Sequence, residues 1–281
     1  MTWDAEVPVG SIWPRGAAWL RVILRALPMA IIVFGGLAIL LVVRCVERPL
    51  HGLKRPWTPY ITVTVCRVVL RIMGLPVKLE GRPMIEPGGW VANHASWLDI
   101  FVLNATGPLY FIAKSEVAGW PGIGWLARAT GTLFVERQAA RAKDQQAPLL
   151  ERLSEGHRML FFPEGTSTDG RRVLAFKSPL FQPFVEFEES QPLYLQAIMV
   201  YYQAPPGKEA RFYGWWGDMS FVENLAHVLA QPKQGKVTLR FLPARAVKDY
   251  ASRKDLAKAL ERDLQEAFAK AVEADSNASP S

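Results

Sequence analysis

The segment VANHASWLDIF, residues 91–101, places an imidazole and a carboxylate five positions apart within an otherwise apolar stretch. An imidazole titrates close to neutral pH, which suits His94 to general-base catalysis, and a carboxylate such as that of Asp99 can hold the ring through its other nitrogen. The backbone offers an alternative, in which Ser96 is a helix N-cap and Asp99 completes a capping-box-like arrangement. This alternative leaves His94 without a role.

Two other segments carry charged residues where predicted strands end. Residues 131–137, GTLFVER, finish on Glu136 and Arg137, and residues 161–172, FFPEGTSTDGRR, contain Glu164 in a Pro-Glu-Gly sequence. Loops at strand ends are where α/β folds expose side chains to ligands. Each segment alone also has a structural explanation, as a core histidine, a solvated strand end or an ordinary turn. Taken together, their order and spacing are much more specific.

In that order and spacing, the chain resembles the glycerolipid acyltransferases, the family typified by 1-acylglycerol-3-phosphate (lysophosphatidic acid) acyltransferase. The matching motifs are, in order, Asn93 to Asp99, Gly131 to Arg137, and Phe162 to Thr166 followed by Phe176 and Lys177. The resemblance covers about residues 75–205. It implies an α/β layered acyltransferase-like domain preceded by an N-terminal hydrophobic helical membrane element.

The resemblance implies a reaction in which His94, oriented by Asp99, takes the proton of a lipid hydroxyl as the hydroxyl oxygen attacks a thioester. The lipid oxygen is then the nucleophile, so no acyl-enzyme is required. The sequence has no Gly-x-Ser-x-Gly nucleophile elbow, which agrees with this scheme and argues against a lipase-like hydrolase. The residues that the resemblance assigns to the acceptor lipid are Arg137, Glu164, Gly165, Thr166 and Lys177.

The third motif departs from the family at Ser167, where an arginine usually follows Glu-Gly-Thr. Losing a guanidinium is unexpected in an enzyme that binds a dianionic phosphate monoester. Family members that acylate lyso-ornithine lipid, a phosphorus-free amino-acid lipid of bacteria, resemble this Glu-Gly-Thr-Ser version. We therefore expect a lyso-ornithine-type acceptor. The alternative acceptor is lysophosphatidic acid, which the enzyme would convert to phosphatidic acid. A third option is a bifunctional enzyme that uses both acceptors. A lipid-binding scaffold is the non-enzymatic alternative, which the presence of His94, Asp99 and Glu164 disfavours.

The resemblance also implies an acyl thioester donor, either acyl carrier protein or coenzyme A. We expect no cofactor and no metal, since the sequence carries neither a nucleotide-binding glycine fingerprint nor a convincing set of metal ligands.

Cys45 and Cys66 are too few for a disulfide framework, which favours a reducing compartment. Because the thioester donors are cytoplasmic, we expect the catalytic domain on the cytoplasmic face of the cell inner membrane.

The N-terminal part of the chain is both apolar and basic. Residues 1–76 contain nine basic and three acidic side chains, whereas the rest of the chain contains 24 and 23. The seventeen residues from Leu27 to Val43 carry no charge, close to the about 20 that a membrane span needs. A basic apolar segment suits an anionic lipid surface better than nucleic acid, so no nucleic-acid partner is expected. We predict helices over 18–43 and 60–75 that form a hairpin crossing or dipping into the bilayer.

After Gly74, short apolar runs alternate with amphipathic stretches, a pattern that predicts an α/β layered domain. The predicted strands are 77–81, 89–93, 109–114, 132–137, 158–165, 193–202 and 236–242. The predicted helices are 97–106, 122–130, 141–155, 219–229 and 253–272. The predicted divisions are membrane-associated helices over 1–76, an acyltransferase domain over 77–274 and a disordered tail over 275–281.

Overall fold

The computed structural model describes residues 12–135, 142–187 and 192–278. Within these ranges, the strands of one sheet are β1 (Val77–Glu80), β2 (Gly88–Ala92), β3 (Tyr110–Lys114), β4 (Leu133–Val135), β5 (Met159–Phe161), β6 (Tyr194–Gln203), β7 (Lys236–Phe241) and β8 (Arg245–Ala246). The α-helices are α1 (Ala18–His51), α2 (Thr58–Met73), α3 (Asp99–Asn104), α4 (Ile123–Thr130), α5 (Ala142–Ser154), α6 (Gln182–Val185), α7 (Phe221–Leu229) and α8 (Arg253–Ala278). Short 3₁₀ helices cover Ser115–Gly119, Ser178–Phe181 and Val247–Asp249.

The sheet is mixed, with the strand order β1-β7-β6-β2-β5-β3-β4 and with β8 paired to β6. Strands β2 to β6 run parallel to one another, whereas β7 is antiparallel to β6. Every residue of β2 is buried, as expected for a parallel strand that is covered on both faces. The carboxyl ends of β2 to β6 therefore meet at one side of the sheet, which we call the carboxyl edge; the opposite side is the amino edge.

Helices cover both faces of this sheet. Successive residues of β2 point to opposite faces, so Trp90 joins an apolar cluster with residues of α2, α3 and α7. Val91 joins a second cluster with residues of α5, α6 and α8. The result is a three-layered α/β domain, which confirms the predicted fold class.

The first helix is longer than the uncharged run from which it was predicted. α1 contains 34 residues and, within the described part of the chain, is the one helix long and apolar enough to cross a membrane by length and composition. It packs along α2 so closely that a Cβ on Gly36 would lie 2.4 Å from a methyl carbon of Val65. The two segments therefore form the predicted helical hairpin.

Glu47 is an acidic residue within this apolar helix, yet it is fully buried. Its carboxylate accepts hydrogen bonds from the backbone N–H groups of Trp57 and Thr58, at 2.7 and 2.9 Å, and from the Thr58 hydroxyl at 2.6 Å. Arg44 adds an ion pair at 3.0 Å. The first N–H groups of a helix have no partner within it, so Glu47 of α1 caps the N-terminus of α2.

Two further element boundaries differ from the sequence prediction by several residues. The strand predicted over 158–165 ends at Phe161, because Pro163 cannot donate to a strand ladder and Gly165 turns the chain with a φ of 69°. Helix α8 continues to Ala278, four residues into the segment predicted as a disordered tail.

The end of α8 is held by side-chain contacts that cross to β6. Asp275 accepts a hydrogen bond from the Tyr201 hydroxyl at 2.9 Å and another from the Gln203 side chain. The composition of the tail could not predict this order, since the partners lie on a distant strand. Strand β8 and helix α6 were also not predicted, because two to four residues are too few to show a period.

Candidate active site

The first motif begins where β2 leaves the sheet. Asn93 is buried, and its side-chain amide donates to the Val200 carbonyl at 2.9 Å and accepts from the Val200 N–H at 2.8 Å. The amide thus bonds to β6 much as a backbone group of an extended β2 would. His94 therefore follows directly on a residue that is fixed to β6 at the carboxyl edge.

The structure brings the predicted base and its carboxylate together. His94 Nδ1 and Asp99 Oδ2 lie 2.7 Å apart. Asp99 is fully buried, and the same oxygen accepts the backbone N–H groups of Ala95 at 2.8 Å and Ser96 at 3.0 Å. A carboxylate can only accept here, so it holds the imidazole proton on Nδ1 and leaves Nε2 as the acceptor.

The capping-box-like alternative for Ser96 is present only in part. Helix α3 begins at Asp99, and the Ser96 hydroxyl lies 3.4 Å from the Leu98 nitrogen, at the outer limit of a hydrogen bond. The other half of the box is formed, because the Asp99 carboxylate accepts the Ser96 N–H at 3.0 Å. One side chain therefore both fixes the loop and orients His94.

Tyr202 is a further member of this group that the sequence analysis missed. Its hydroxyl donates to Asp99 Oδ1 at 2.7 Å. Burial raises the pKa of Tyr202 well above its usual value, and the charge of Asp99 raises it further, so the phenol stays protonated and remains a donor. The two residues are 103 positions apart, and no local pattern indicates the contact.

The His94 ring stacks on Phe162, with 4.1 Å between ring centroids and 13° between ring planes. The His94 side chain retains 19% of its exposure. Among the described residues, no group forms a hydrogen bond with Nε2. The ring is thus held on one face and through Nδ1, while its second nitrogen remains available to a substrate.

Glu164 lies beside His94, but backbone groups occupy its carboxylate. Oε1 accepts the His94 N–H at 2.8 Å, and Oε2 accepts the Leu174 N–H at 2.7 Å. Burial raises the pKa of Glu164 to about 8, although the two N–H donors act in the opposite direction. The third motif thereby ties the His94 loop to residues 170–174, and the predicted contact of Glu164 with the acceptor stays a prediction.

The other predicted acceptor residues that the structure describes lie next to these hydrogen bonds of Glu164. Gly165 has a positive φ, and a Cβ there would lie 2.5 Å from Lys177 Nζ, so the ammonium group lies over the Gly165 backbone. The Lys177 side chain is otherwise exposed. Thr166 is partly buried, with its hydroxyl 3.3 Å from the Ser167 carbonyl. Arg137 lies outside the described residues.

A charged cluster that was not predicted adjoins the His94 loop. Asp169 is fully buried and pairs with Arg172, whose Nη2 lies 3.1 Å away, and with Arg211, whose Nε lies 3.7 Å away. The preceding Thr168 donates its N–H to the His94 carbonyl at 2.9 Å. The Asp-Gly-Arg-Arg run is visible in the sequence, but the approach of Arg211 comes from a distant segment.

Known proteins that are similar to this chain are acyltransferases. Residues 78–201 match the family model described as Acyltransferase. The lyso-ornithine lipid O-acyltransferase of Rhodobacter capsulatus is 51% identical over 259 residues, which cover 92% of this chain and 94% of that protein. The chain belongs to the acyltransferase family. It is therefore an enzyme, an O-acyltransferase, as the three motifs predicted.

Other relatives of this acyltransferase share shorter regions or the fold. The 1-acyl-sn-glycerol-3-phosphate acyltransferase of Neisseria gonorrhoeae is 39% identical over 120 residues, covering 41% of this chain and 47% of that protein. The crystal structure of the 1-acyl-sn-glycerophosphate acyltransferase PlsC of Thermotoga maritima matches with a TM-score of 0.64 at 21% identity, covering 94% of this chain and 98% of that one. This likeness confirms the fold. The apolar α1 and the similarity to lipid acyltransferases together indicate membrane association.

Proposed function

We propose that this acyltransferase is a lysolipid O-acyltransferase that moves a fatty acyl group from a thioester donor, acyl carrier protein or coenzyme A, to the free hydroxyl of lyso-ornithine lipid. The observation that carries the chemistry is the hydrogen bond of 2.7 Å between His94 Nδ1 and Asp99. The choice of acceptor rests on the 51% identity with the Rhodobacter capsulatus enzyme along nearly all of both chains.

In the proposed reaction, His94 Nε2 takes the proton of the acceptor hydroxyl while the hydroxyl oxygen attacks the carbonyl carbon of the thioester. The new C–O bond forms, the C–S bond breaks, and the departing thiolate takes the proton from the imidazolium. Asp99 keeps the other proton on Nδ1 and stabilises the imidazolium. No covalent enzyme intermediate, cofactor or metal takes part in this scheme.

The surroundings of Asp99 support this role. The carboxylate accepts from the His94 ring, from the N–H groups of Ala95 and Ser96, and from the Tyr202 hydroxyl. Hydrogen bonds to charged groups contribute about 1.5–3 kcal/mol each, so four donors hold the carboxylate in one orientation. The imidazole is therefore positioned before the substrate binds, and less reorganisation is needed during the reaction.

The acceptor headgroup is proposed to bind beside the third motif. Lys177 over Gly165 provides a cation, and Arg137 and Thr166 are proposed to complete the site. An ornithine headgroup offers a monoanionic carboxylate where lysophosphatidic acid offers a phosphate monoester. The smaller anionic charge agrees with Ser167 at the position where the family usually carries arginine. Glu164 is proposed to act through the backbone that it holds.

Lysophosphatidic acid is the second candidate acceptor, used instead of or beside lyso-ornithine lipid. The 39% identity with the Neisseria gonorrhoeae 1-acyl-sn-glycerol-3-phosphate acyltransferase favours it over the matched region. The Lys177 ammonium over Gly165 offers this phosphate a cation, whereas Arg172 and Arg211 are already paired with Asp169. Whichever acceptor is used, we propose that the catalytic domain lies on the cytoplasmic face of the inner membrane, where the thioester donors are found.

The decisive experiment measures acyl transfer by the detergent-purified enzyme from acyl carrier protein thioester, with lyso-ornithine lipid and lysophosphatidic acid supplied separately. We expect product with lyso-ornithine lipid and its loss in His94→Ala. Product with lysophosphatidic acid alone would contradict the proposed acceptor and leave the reaction type intact. Full activity of His94→Ala would contradict the proposed base.

A charge substitution tests the role of position 167. Ser167→Arg restores the usual guanidinium, so we expect it to increase the use of lysophosphatidic acid relative to lyso-ornithine lipid. Ser154→Arg, on the exposed end of α5, is the matched control with the same added charge. An unchanged acceptor ratio in Ser167→Arg would show that position 167 does not contact the headgroup.

A further inference from the structure

A second site lies at the beginning of α1, apart from the residues of the proposed reaction. A cavity of about 470 Å³ opens between the first turns of α1, the end of α7 and the loop before α7. The lining residues that matter here are Trp13, Arg15, Arg21, Lys208, His227 and Gln231. Neither His94 nor the third motif contributes to this cavity.

The wall of the cavity is built by a tight contact between α1 and α7. Arg21 Nε donates to the Ala230 carbonyl at 2.7 Å, and Arg25 donates to the carbonyls of Leu229, at 2.8 Å, and Gln231. These carbonyls end α7 and have no partner within the helix, so the two arginines cap it. The wall that α1 and α7 form is therefore fixed.

The charges around the cavity are mainly positive. Arg15 and Lys208 are exposed, and the described part of the chain shows no hydrogen bond or ion pair for either side chain. Burial, together with the charge of Lys208, lowers the pKa of His227, so this imidazole is neutral near pH 7. Glu223 of α7 accepts the backbone N–H of Ile12 at 2.7 Å. Among the described residues, the cavity lining contains three cationic side chains, those of Arg15, Arg21 and Lys208, and no carboxylate.

The cavity also lies at a level that suits a membrane interface. The rings of Trp13 and Trp19 stack with 5.8 Å between centroids, and both side chains are about two-fifths exposed. Exposed apolar residues of α1 begin at Leu20 and continue through Ile23 and Leu24. Indoles prefer the headgroup region, and the apolar residues that follow suit acyl chains. A ligand in the cavity would lie where lipid phosphates lie.

We propose that this cavity binds the phosphate group of an anionic membrane phospholipid, a lipid that is neither acyl donor nor acceptor. The site is coupled to the catalytic loop through α7, because Asn224 of that helix accepts a hydrogen bond from Trp97 Nε1 at 2.9 Å. Bound lipid therefore fixes how the carboxyl edge faces the bilayer. The proposal rests on membrane association alone and holds for either candidate acceptor.

The test is titration calorimetry on the full chain in a neutral detergent, with dihexanoyl phosphatidylglycerol, dihexanoyl phosphatidylcholine and inorganic phosphate as separate ligands. We expect saturable one-to-one binding of phosphatidylglycerol, with no comparable binding of the other two. The double variant Arg15→Gln/Lys208→Gln should bind phosphatidylglycerol roughly 30-fold more weakly. Its acyl-transfer rate in micelles should stay close to that of the original chain, which shows that it is folded.

The matched control is Lys254→Gln/Lys258→Gln, which removes two exposed charges from α8. This control should bind phosphatidylglycerol like the original chain. Equal weakening in both double variants would overturn the proposal in favour of general charge attraction. Undiminished binding in the first double variant would also overturn it, because the lipid would then occupy another site. Equal affinity for inorganic phosphate would assign the cavity to free phosphate and not to lipid.

Discussion

His94 and His157 lie at opposite edges of the same sheet, and each imidazole stacks on an aromatic ring. His94 follows β2 at the carboxyl edge and stacks on Phe162 with 4.1 Å between centroids. His157 precedes β5 at the amino edge and stacks on Tyr110 with 4.4 Å between centroids. Both rings are largely shielded from water, so stacking and burial alone do not distinguish them.

The charge of the second partner does distinguish them. Asp99 accepts from Nδ1 of His94, whereas Arg152 Nη1 donates to Nδ1 of His157 at 2.9 Å. Burial, followed by the charges of Arg152 and Arg55, lowers the pKa of His157 to about 4. A carboxylate stabilises an imidazolium and a guanidinium opposes it. Of the two rings, only that of His94 therefore has the kind of partner that the proposed proton transfer needs.

Replacing His94, but not His157, should lower the rate of acyl transfer more than any other substitution discussed below. His94→Ala should lower the rate of acyl transfer by about 10²–10⁴-fold, because it removes the proposed general base. His157→Ala removes the stacked imidazole at the other edge and should leave the rate close to that of the original chain. Rates of acyl transfer measured side by side in detergent check this prediction. Comparable losses in both variants would contradict a special catalytic role for His94.

The next effect comes from removing the charge that favours His94. Asp99→Asn should lower the rate roughly 10²–10³-fold, because an amide can present a donor to the imidazole and no longer stabilises its charged form. Asp263→Asn is the control for loss of a partly buried carboxylate, because it disturbs the ion pair between Asp263 of α8 and Arg245 of β8. A rate in Asp99→Asn equal to that of the control would contradict the orienting role.

Removing the Tyr202 hydroxyl should have a smaller effect on the rate of acyl transfer. Tyr202→Phe leaves Asp99 Oδ1 without this donor, so we expect kcat to fall about tenfold with little change in KM. Tyr201→Phe is the matched control, since its neighbouring hydroxyl donates to Asp275 on the other face of the strand. If Tyr202→Phe raised KM and left kcat unchanged, the tyrosine would act on substrate binding instead.

The smallest effect concerns stability and not rate. His157 stays neutral in the folded state down to about pH 4, whereas an unfolded histidine takes up a proton near pH 6.5. Stability should therefore fall as the pH falls from 6.5 towards 4, because the unfolded state binds more protons. His157→Gln should show a shallower decrease in thermal unfolding midpoint over this range. Parallel curves for the two proteins would contradict the lowered pKa.

The residues that sequence analysis found at the site are those whose contacts are short-range. His94 and Asp99 are five positions apart, so their spacing and the family motif both pointed to the pair. Tyr202 and Phe162 were included in predicted strands, but neither strand periodicity nor composition shows which distant side chain each one meets. Glu164 was found by its motif, whereas its bonds to two backbone N–H groups depend on how two loops approach each other.

The same limit applies to α1. A helix was predicted over 18–43, yet it extends to His51, and Glu47 within the extension has partners outside the helix. Arg21 and Arg25 bind carbonyls at the end of α7, and Glu47 binds the start of α2. A hydropathy pattern counts such residues as breaks, since it does not include the partners that the fold provides.

The position of Glu47 has a consequence for biosynthesis. The carboxylate is removed from water only when the first N–H groups of α2 are in place to receive it. A nascent α1 that met lipid alone would keep the Arg44 ion pair but leave the Glu47 carboxylate without the donors at the start of α2, which is costly in an apolar medium. Closing the hairpin before or during its arrival at the bilayer avoids this cost, so the membrane would receive two helices as one unit.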